Sequence, residues 1–292
     1  MRIRGSRPPL ANSAFIDDFS VLTAREDSLS RIVFVASLLL CPAAQAHDTW
    51  VQTNTNLVRT GDAVHVDLML GNHGNEHRDF KLASKVALDG CTLAVVDPEG
   101  KRYDIRDRLV DTGYTPREGF WSARFAGMKP GLYLVAHSLD RVVNHGRPVR
   151  SIKSAKTFFV MSDSLDRVPA NNPGHDRVLG HALELVPTRS PVTPMGPGQP
   201  VGVRLLFQGK PLPKTRVSFI PRGTELAEGF DANYERTTDE AGEAVFTPKE
   251  GNYYLVVAHM MSEDKKSAEY DRTQYSATLS VFVPELCPCC GE

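Results

Sequence analysis

Beyond residue 46 the apolar positions fall in short runs rather than in helical stripes. In "AVHVDLML" they alternate: Val64, Val66, Leu68 and Leu70 point one way along a strand, His65 and Asp67 the other. The runs "TLAVVD", "LYLVAH", "KTFFV", "PVGVRLLF", "RVSFI", "EAVFT", "YYLVVAH" and "TLSVFV" are rich in β-branched and aromatic residues. Clusters of Gly, Pro, Asp and Asn separate them. This is the pattern of an all-β fold made of sandwiches.

The strand pattern recurs in order. "TGDAVHVDLMLGN" from Thr60 corresponds to "PGQPVGVRLLFQGK" from Pro197, and "KPGLYLVAHS" from Lys129 to "KEGNYYLVVAHM" from Lys249. "SAKTFFV" from Ser154 corresponds to "YSATLSVFV" from Tyr275. Two β-sandwich domains in tandem are therefore expected, at 47–162 and 177–284. The polar stretch "DSLDRVPANNPGHD", 163–176, is the linker and 285–292 a Cys-rich tail. In the second half, "LLFQGKPLPKTRVSFI", "TDEAGEAVFT" and a Gly-x-Tyr strand have the layout of transthyretin-like or carboxypeptidase-regulatory-like sandwiches. There Asp239 to Gly242 makes a tight turn.

One apolar run departs from the strand pattern. Ile32 to Cys41 follows Arg31 and leads to the small-x-small triplet Ala44-Gln45-Ala46, the three parts of a secretory signal. It has about half of the ~20 residues that span a bilayer. The expectation is cleavage after Ala46 and a periplasmic or secreted protein without a stable membrane span. Residues 1–30 are too long and too acidic for the start of such a signal, so 1–46 is set aside as an N-terminal extension plus signal peptide.

Charge narrows the partners. With 34 Lys and Arg against 35 Asp and Glu, the net charge of −1 carries no nucleic-acid or anionic-membrane footprint. The five cysteines are not evenly spaced as in a disulfide-stapled scaffold: Cys41 leaves with the signal, Cys91 stands alone, and Cys287, Cys289 and Cys290 crowd the end. There is no G-x-S-x-G, HExxH or P-loop.

The candidate chemistry lies with histidine. Cleavage after Ala46 makes His47 the first residue, and its free amine and its own ring then form a chelate suited to Cu(II) or Ni(II). "GNHGNEHR" adds His73 and His77 on a polar loop, and the similar "NHG" turn adds His145. These four are the expected metal ligands. His137 and His259 take the same place in the repeat, which points to a strand-end packing role, with metal ligation second. Three thiols in the tail, Cys287, Cys289 and Cys290, can take soft ions but are too close together for a four-thiolate site.

The ordered set "HDTWVQ", "GNHGNEHR", "GHALELVP…LLFQGKPL" and "YDRTQYSATLSVFV" resembles a bacterial family of exported proteins related to the periplasmic region of nickel or cobalt uptake systems. The resemblance covers the chain beyond the signal; "CPCCGE" is outside it. It implies an exported β-sandwich protein that handles a transition metal, with no established reaction; together with the His47 chelate the candidate ions are Ni(II), Co(II) and Cu(II), and a membrane metal-transport system is a candidate partner. In nickel-uptake subunits of this kind the metal sits at a processed N-terminus with a histidine first or second, which here matches His47. The expected function is metal binding for uptake or trafficking. A copper monooxygenase using the same amine–histidine brace, and a metal-free interaction module, are the alternatives.

Overall fold

The computed structural model describes residues 47–72, 78–113, 115–144, 146–263 and 267–287. In chain order the first half forms β1 (Asp48–Thr53), β2 (Leu57–Arg59), β3 (Ala63–Asn72), β4 (Lys81–Ser84), β5 (Cys91–Val96), β6 (Arg102–Asp104), β7 (Val110–Asp111), β8 (Trp121–Ala126), β9 (Gly131–Asn144) and β10 (Pro148–Ser162). The second half forms β11 (Leu183–Pro187), β12 (Val201–Phe207), β13 (Lys210–Pro211), β14 (Arg216–Pro221), β15 (Glu235–Thr237), β16 (Glu243–Phe246), β17 (Asn252–Ser262) and β18 (Arg272–Val283). The fold is all-β, as the alternation predicts: Val64, Val66, Leu68 and Leu70 are buried, while His65 is exposed.

Three sheets carry these strands. A nine-stranded sheet runs β15-β14-β17-β18-β10-β9-β5-β6, with β2 also on β10. The five-stranded sheet β1-β3-β8-β7, with β4 on β3, builds the first sandwich, and the four-stranded sheet β11-β12-β13, with β16 on β12, builds the second. The two small sheets cover opposite faces of the large one. In β10, Ala155, Phe159 and Met161 enter the core under β3 and β8, while Phe158 and Val160 enter the core with β11 and β12. Burial on both faces explains why "TFFVM" reads as a continuous apolar run.

The seam between the halves is a parallel ladder. β10 pairs with β18 from Val149↔Arg272 to Thr157↔Ser280. Parallel neighbours need a long crossover, and here the second half supplies it. The strands expected to end at His137 and His259 instead run on to Asn144 and Ser262. Each lengthens because its hairpin partner, β10 or β18, offers a ladder beyond the histidine.

Two tyrosines reveal the true alignment of the repeat. Tyr133 Oη donates to Lys129 O at 2.9 Å, and Tyr254 Oη donates to Glu250 O at 3.2 Å. Each spans four residues back at the start of its strand and buries its ring in its own sandwich. If Tyr133 matches Tyr254, His137 matches Ala258, and His259 matches Ser138. The shared "AH" letters are thus one residue out of register, which turns a side chain to the other face of a strand. His137 points into its own sandwich core. His259 points out of its own and toward β1.

Candidate functional site

β1 positions the site. All six of its residues are buried. It pairs with β3, Asp48 opposite Gly71, and lies over the β10–β18 seam, where Thr278 Oγ1 donates to Thr49 O at 2.8 Å. Farther along, Arg222 Nη2 donates to Gln52 Oε1 at 2.7 Å, its guanidinium lying 4.9 Å from the Phe80 ring and 4.7 Å from that of Tyr253. This first strand therefore binds to both halves of the chain.

At the start of β1 the chain passes from exposed to buried in one step. His47 is exposed, and Asp48 is 1% exposed. The Asp48 carboxylate reaches across to β17, where His259 Nε2 donates to its Oδ2 at 2.7 Å. A carboxylate held this way fixes the ring and its tautomer, leaving Nδ1 as the lone-pair nitrogen. The His259 side chain is 34% exposed, so the ring is partly open to solvent.

The register gives the neighbours of this pair on the same face of the large sheet. One rung holds His259, Ser276, Lys153 and Leu139; the next toward the β9–β10 turn holds Met261, Gln274, Ser151 and Arg141. Lys153 is buried, and burial pushes its ammonium below the usual lysine range, against the pull of Asp48 and with the push of Arg141. One rung the other way, His137 is fully buried, and its Nδ1 donates to Thr92 O at 2.8 Å. Burial lowers it to about 4, so it is neutral at physiological pH.

The other expected ligands fall in separate places. His73, His77, His145, Cys289 and Cys290 lie outside the described residues. Cys287 is half-buried, and Cys91 is buried in the first sandwich, where desolvation raises its thiol. Among the described residues no three His, Cys, Asp or Glu side chains form a metal-holding group. At the opposite end of β9 and β10 a cleft of about 510 Å³, lined by Pro98, Pro130, Leu132, Met161, Arg167 and Pro169, touches none of these histidines.

A second buried charge pair joins the halves on the other face. Lys156 Nζ donates to Glu184 Oε1 at 2.5 Å, with both side chains almost fully buried. The Glu184 carboxylate also accepts from the backbone N–H groups of Leu179, Gly180 and His181 at 2.6, 2.9 and 3.0 Å. Burial works to raise this carboxyl; Lys156 and the backbone donors prevail and hold it below its ordinary value. His181, beside it, is lowered by burial to about 4.

Sequence reasoning passed over Asp48 and Lys153. For Lys153 a signal was present, a lysine inside the alternation "SIKSAKTFF"; for Asp48 there was none, since the burial of all of β1 shows only in the fold. Without the register nothing in the letters joins Asp48 to His259, 211 positions away.

These features define a tandem β-sandwich protein whose halves share one sheet. The chain belongs to the DUF4198 family, a domain of unknown function whose profile matches residues 44–262. No curated protein matches it in sequence. Among solved structures it is similar to the D0–D1 domains of intimin at 13% identity, over 81% of this chain and 98% of that one, with a TM-score of 0.21. It is similar to the adhesin FdeC of Escherichia coli at 11% identity over 80% and 65%, TM-score 0.23. A DUF4785-family protein of Legionella pneumophila matches at 10% identity over 78% and 54%, TM-score 0.26. Such distant likenesses carry no argument about function. Among the described residues no helix is long and apolar enough to cross a membrane.

Proposed function

We propose that this is an exported metal-binding protein that captures a late first-row divalent ion, Ni(II), Co(II) or Cu(II), for uptake or trafficking. The observation that carries the reading is the Asp48–His259 pair next to His47. An imidazole oriented by a carboxylate on one ring nitrogen, with the other left for a metal, is how proteins prepare a histidine ligand. Cleavage after Ala46 frees the amine of His47 one residue from that carboxylate, so amine, His47 ring and His259 Nδ1 form the nitrogen donor set. Nitrogen donors of this kind suit these ions by the Irving–Williams order.

In this reading His259 replaces His145 as the first partner to test, while His73 and His77 follow the end of β3, whose Gly71 stands opposite Asp48. Binding requires the amine and both rings to be deprotonated, so acid releases the ion to a membrane transport system. The test is calorimetry with each of the three ions on protein whose His47 terminus is verified by mass spectrometry. Tight binding that drops at least tenfold in both His47→Ala and His259→Ala is the expected result. No binding in the processed protein would leave the interaction-module reading in its place.

A further inference from the structure

The same sheet face holds polar groups that the metal reading does not use. Lys153 is 5% exposed, and burial works against its charge. Ser276, directly across the ladder from it, is 3% exposed, and among the described residues its hydroxyl has no partner. Arg141 stands diagonally from Lys153, two positions beyond its partner Leu139, and its Nε is buried without a partner among the described residues. Diagonal neighbours on one face of a sheet lie about 7–8 Å apart, within reach of long side chains.

The charges here do not balance. The carboxylate of this cluster belongs to Asp48, and His259 already occupies its Oδ2. The Asp48 carboxylate pulls on Lys153 and offsets one of the two cations, so among the described residues of these two rungs one positive charge is in excess, and leaving a cation buried without a counter-charge is costly. His137 on the third rung is neutral and adds no charge. The half-buried Arg141 connects the group to the outside.

We infer that Lys153, Arg141 and Ser276 form a binding site for a small oxyanion, a carboxylate or a phosphate. The anion accepts hydrogen bonds from all three donors and offsets the excess positive charge. The occupancy does not depend on a metal, so it stands or falls apart from the metal reading.

Thermal unfolding of the metal-free, EDTA-treated full chain tests it, with inorganic phosphate, acetate and citrate as separate arms and chloride at matched ionic strength as the control. A ligand that binds only the folded state raises Tm with its concentration. One oxyanion arm should raise Tm by a few degrees over chloride, and the arm that does so identifies the class. Lys153→Met, which removes the buried charge, should abolish the rise, and Ser276→Ala should weaken it. The serine variant carries the test if the lysine variant does not fold. Equal responses in wild type and variants, or no oxyanion response in wild type, overturn the site and leave water as its occupant.

Discussion

At the scale of residues, burial decides what each polar group does. Glu184 holds an ammonium and three backbone N–H groups at once. Glu184→Leu should cost about 3–5 kcal/mol, because it strands a buried charge. Removing both charges with Lys156→Met should recover only part of that loss, since three N–H donors still lack an acceptor and each costs about 1–3 kcal/mol when buried. Urea denaturation of the single and double variants measures this, and a double variant as stable as wild type would refute the backbone role. His137 supplies a pH dependence. Its folded value of about 4 lies below the ordinary 6.5, so the unfolded chain takes up a proton that the folded one refuses. Stability is therefore full above pH 6.5 and declines toward pH 4, by about 1.4 kcal/mol per unit from this group. His181, lowered in the same direction, adds to the slope. His137→Leu should flatten the decline in urea midpoint across that window while the His181 share remains; an unchanged slope would count against it.

At the scale of elements, β1 joins the first sandwich to strands of the second half. Gly71 allows this close packing: a Cβ there would stand 2.1 Å from Lys81 O and 2.5 Å from the Trp50 ring. Gly71→Ala therefore forces β4 or the tryptophan to shift. The expected loss is about 1–3 kcal/mol, as for other overpacked sites, with a change in near-UV circular dichroism from Trp50. Wild-type spectra and stability would show that the strand adapts. The strands β3, β5, β9, β10, β12, β14, β16, β17 and β18 were legible in the sequence, because period-two alternation and Gly-Pro punctuation are local signals; β1, which carries the site, was not among those runs. The ordered repeat also led to the matching hairpins β9–β10 and β17–β18. What local letters could not give was the face of each histidine. "AH" recurs, yet the tyrosine bonds show a one-residue offset, and only the fold separates core-facing His137 from His259. The Asp48–His259 contact was hidden for the same reason, since long-range register leaves no trace in a short window.

At the scale of the whole molecule, the shared sheet makes the two sandwiches mutually dependent. β10 and β18 lie side by side through nine paired positions from Val149↔Arg272 to Thr157↔Ser280. Val96, Leu132, Leu134, Phe158 and Val160 of the first half belong to the core of the second, and Trp50, Met69 and Phe80 share a core with Ile220, Leu255 and Val257. Separated halves would each expose a long strand edge and an apolar face, the conditions for edge-to-edge aggregation. Tandem sandwiches joined only by a linker would unfold in two steps. This chain should unfold in one, with calorimetric and van't Hoff enthalpies equal and with near- and far-UV signals coincident. Residues 177–284 expressed alone should be insoluble or lack a cooperative transition, because they lose β10 and β1 together. Two resolved transitions in the full chain, or a cooperatively folding second half, would show that the seam is dispensable. The proposed metal and anion sites both lie on this seam, with Asp48 and Lys153 from one half meeting His259 and Ser276 from the other. If unfolding is cooperative, a ligand bound there stabilises the whole chain, so a single melting curve reports occupancy of either site.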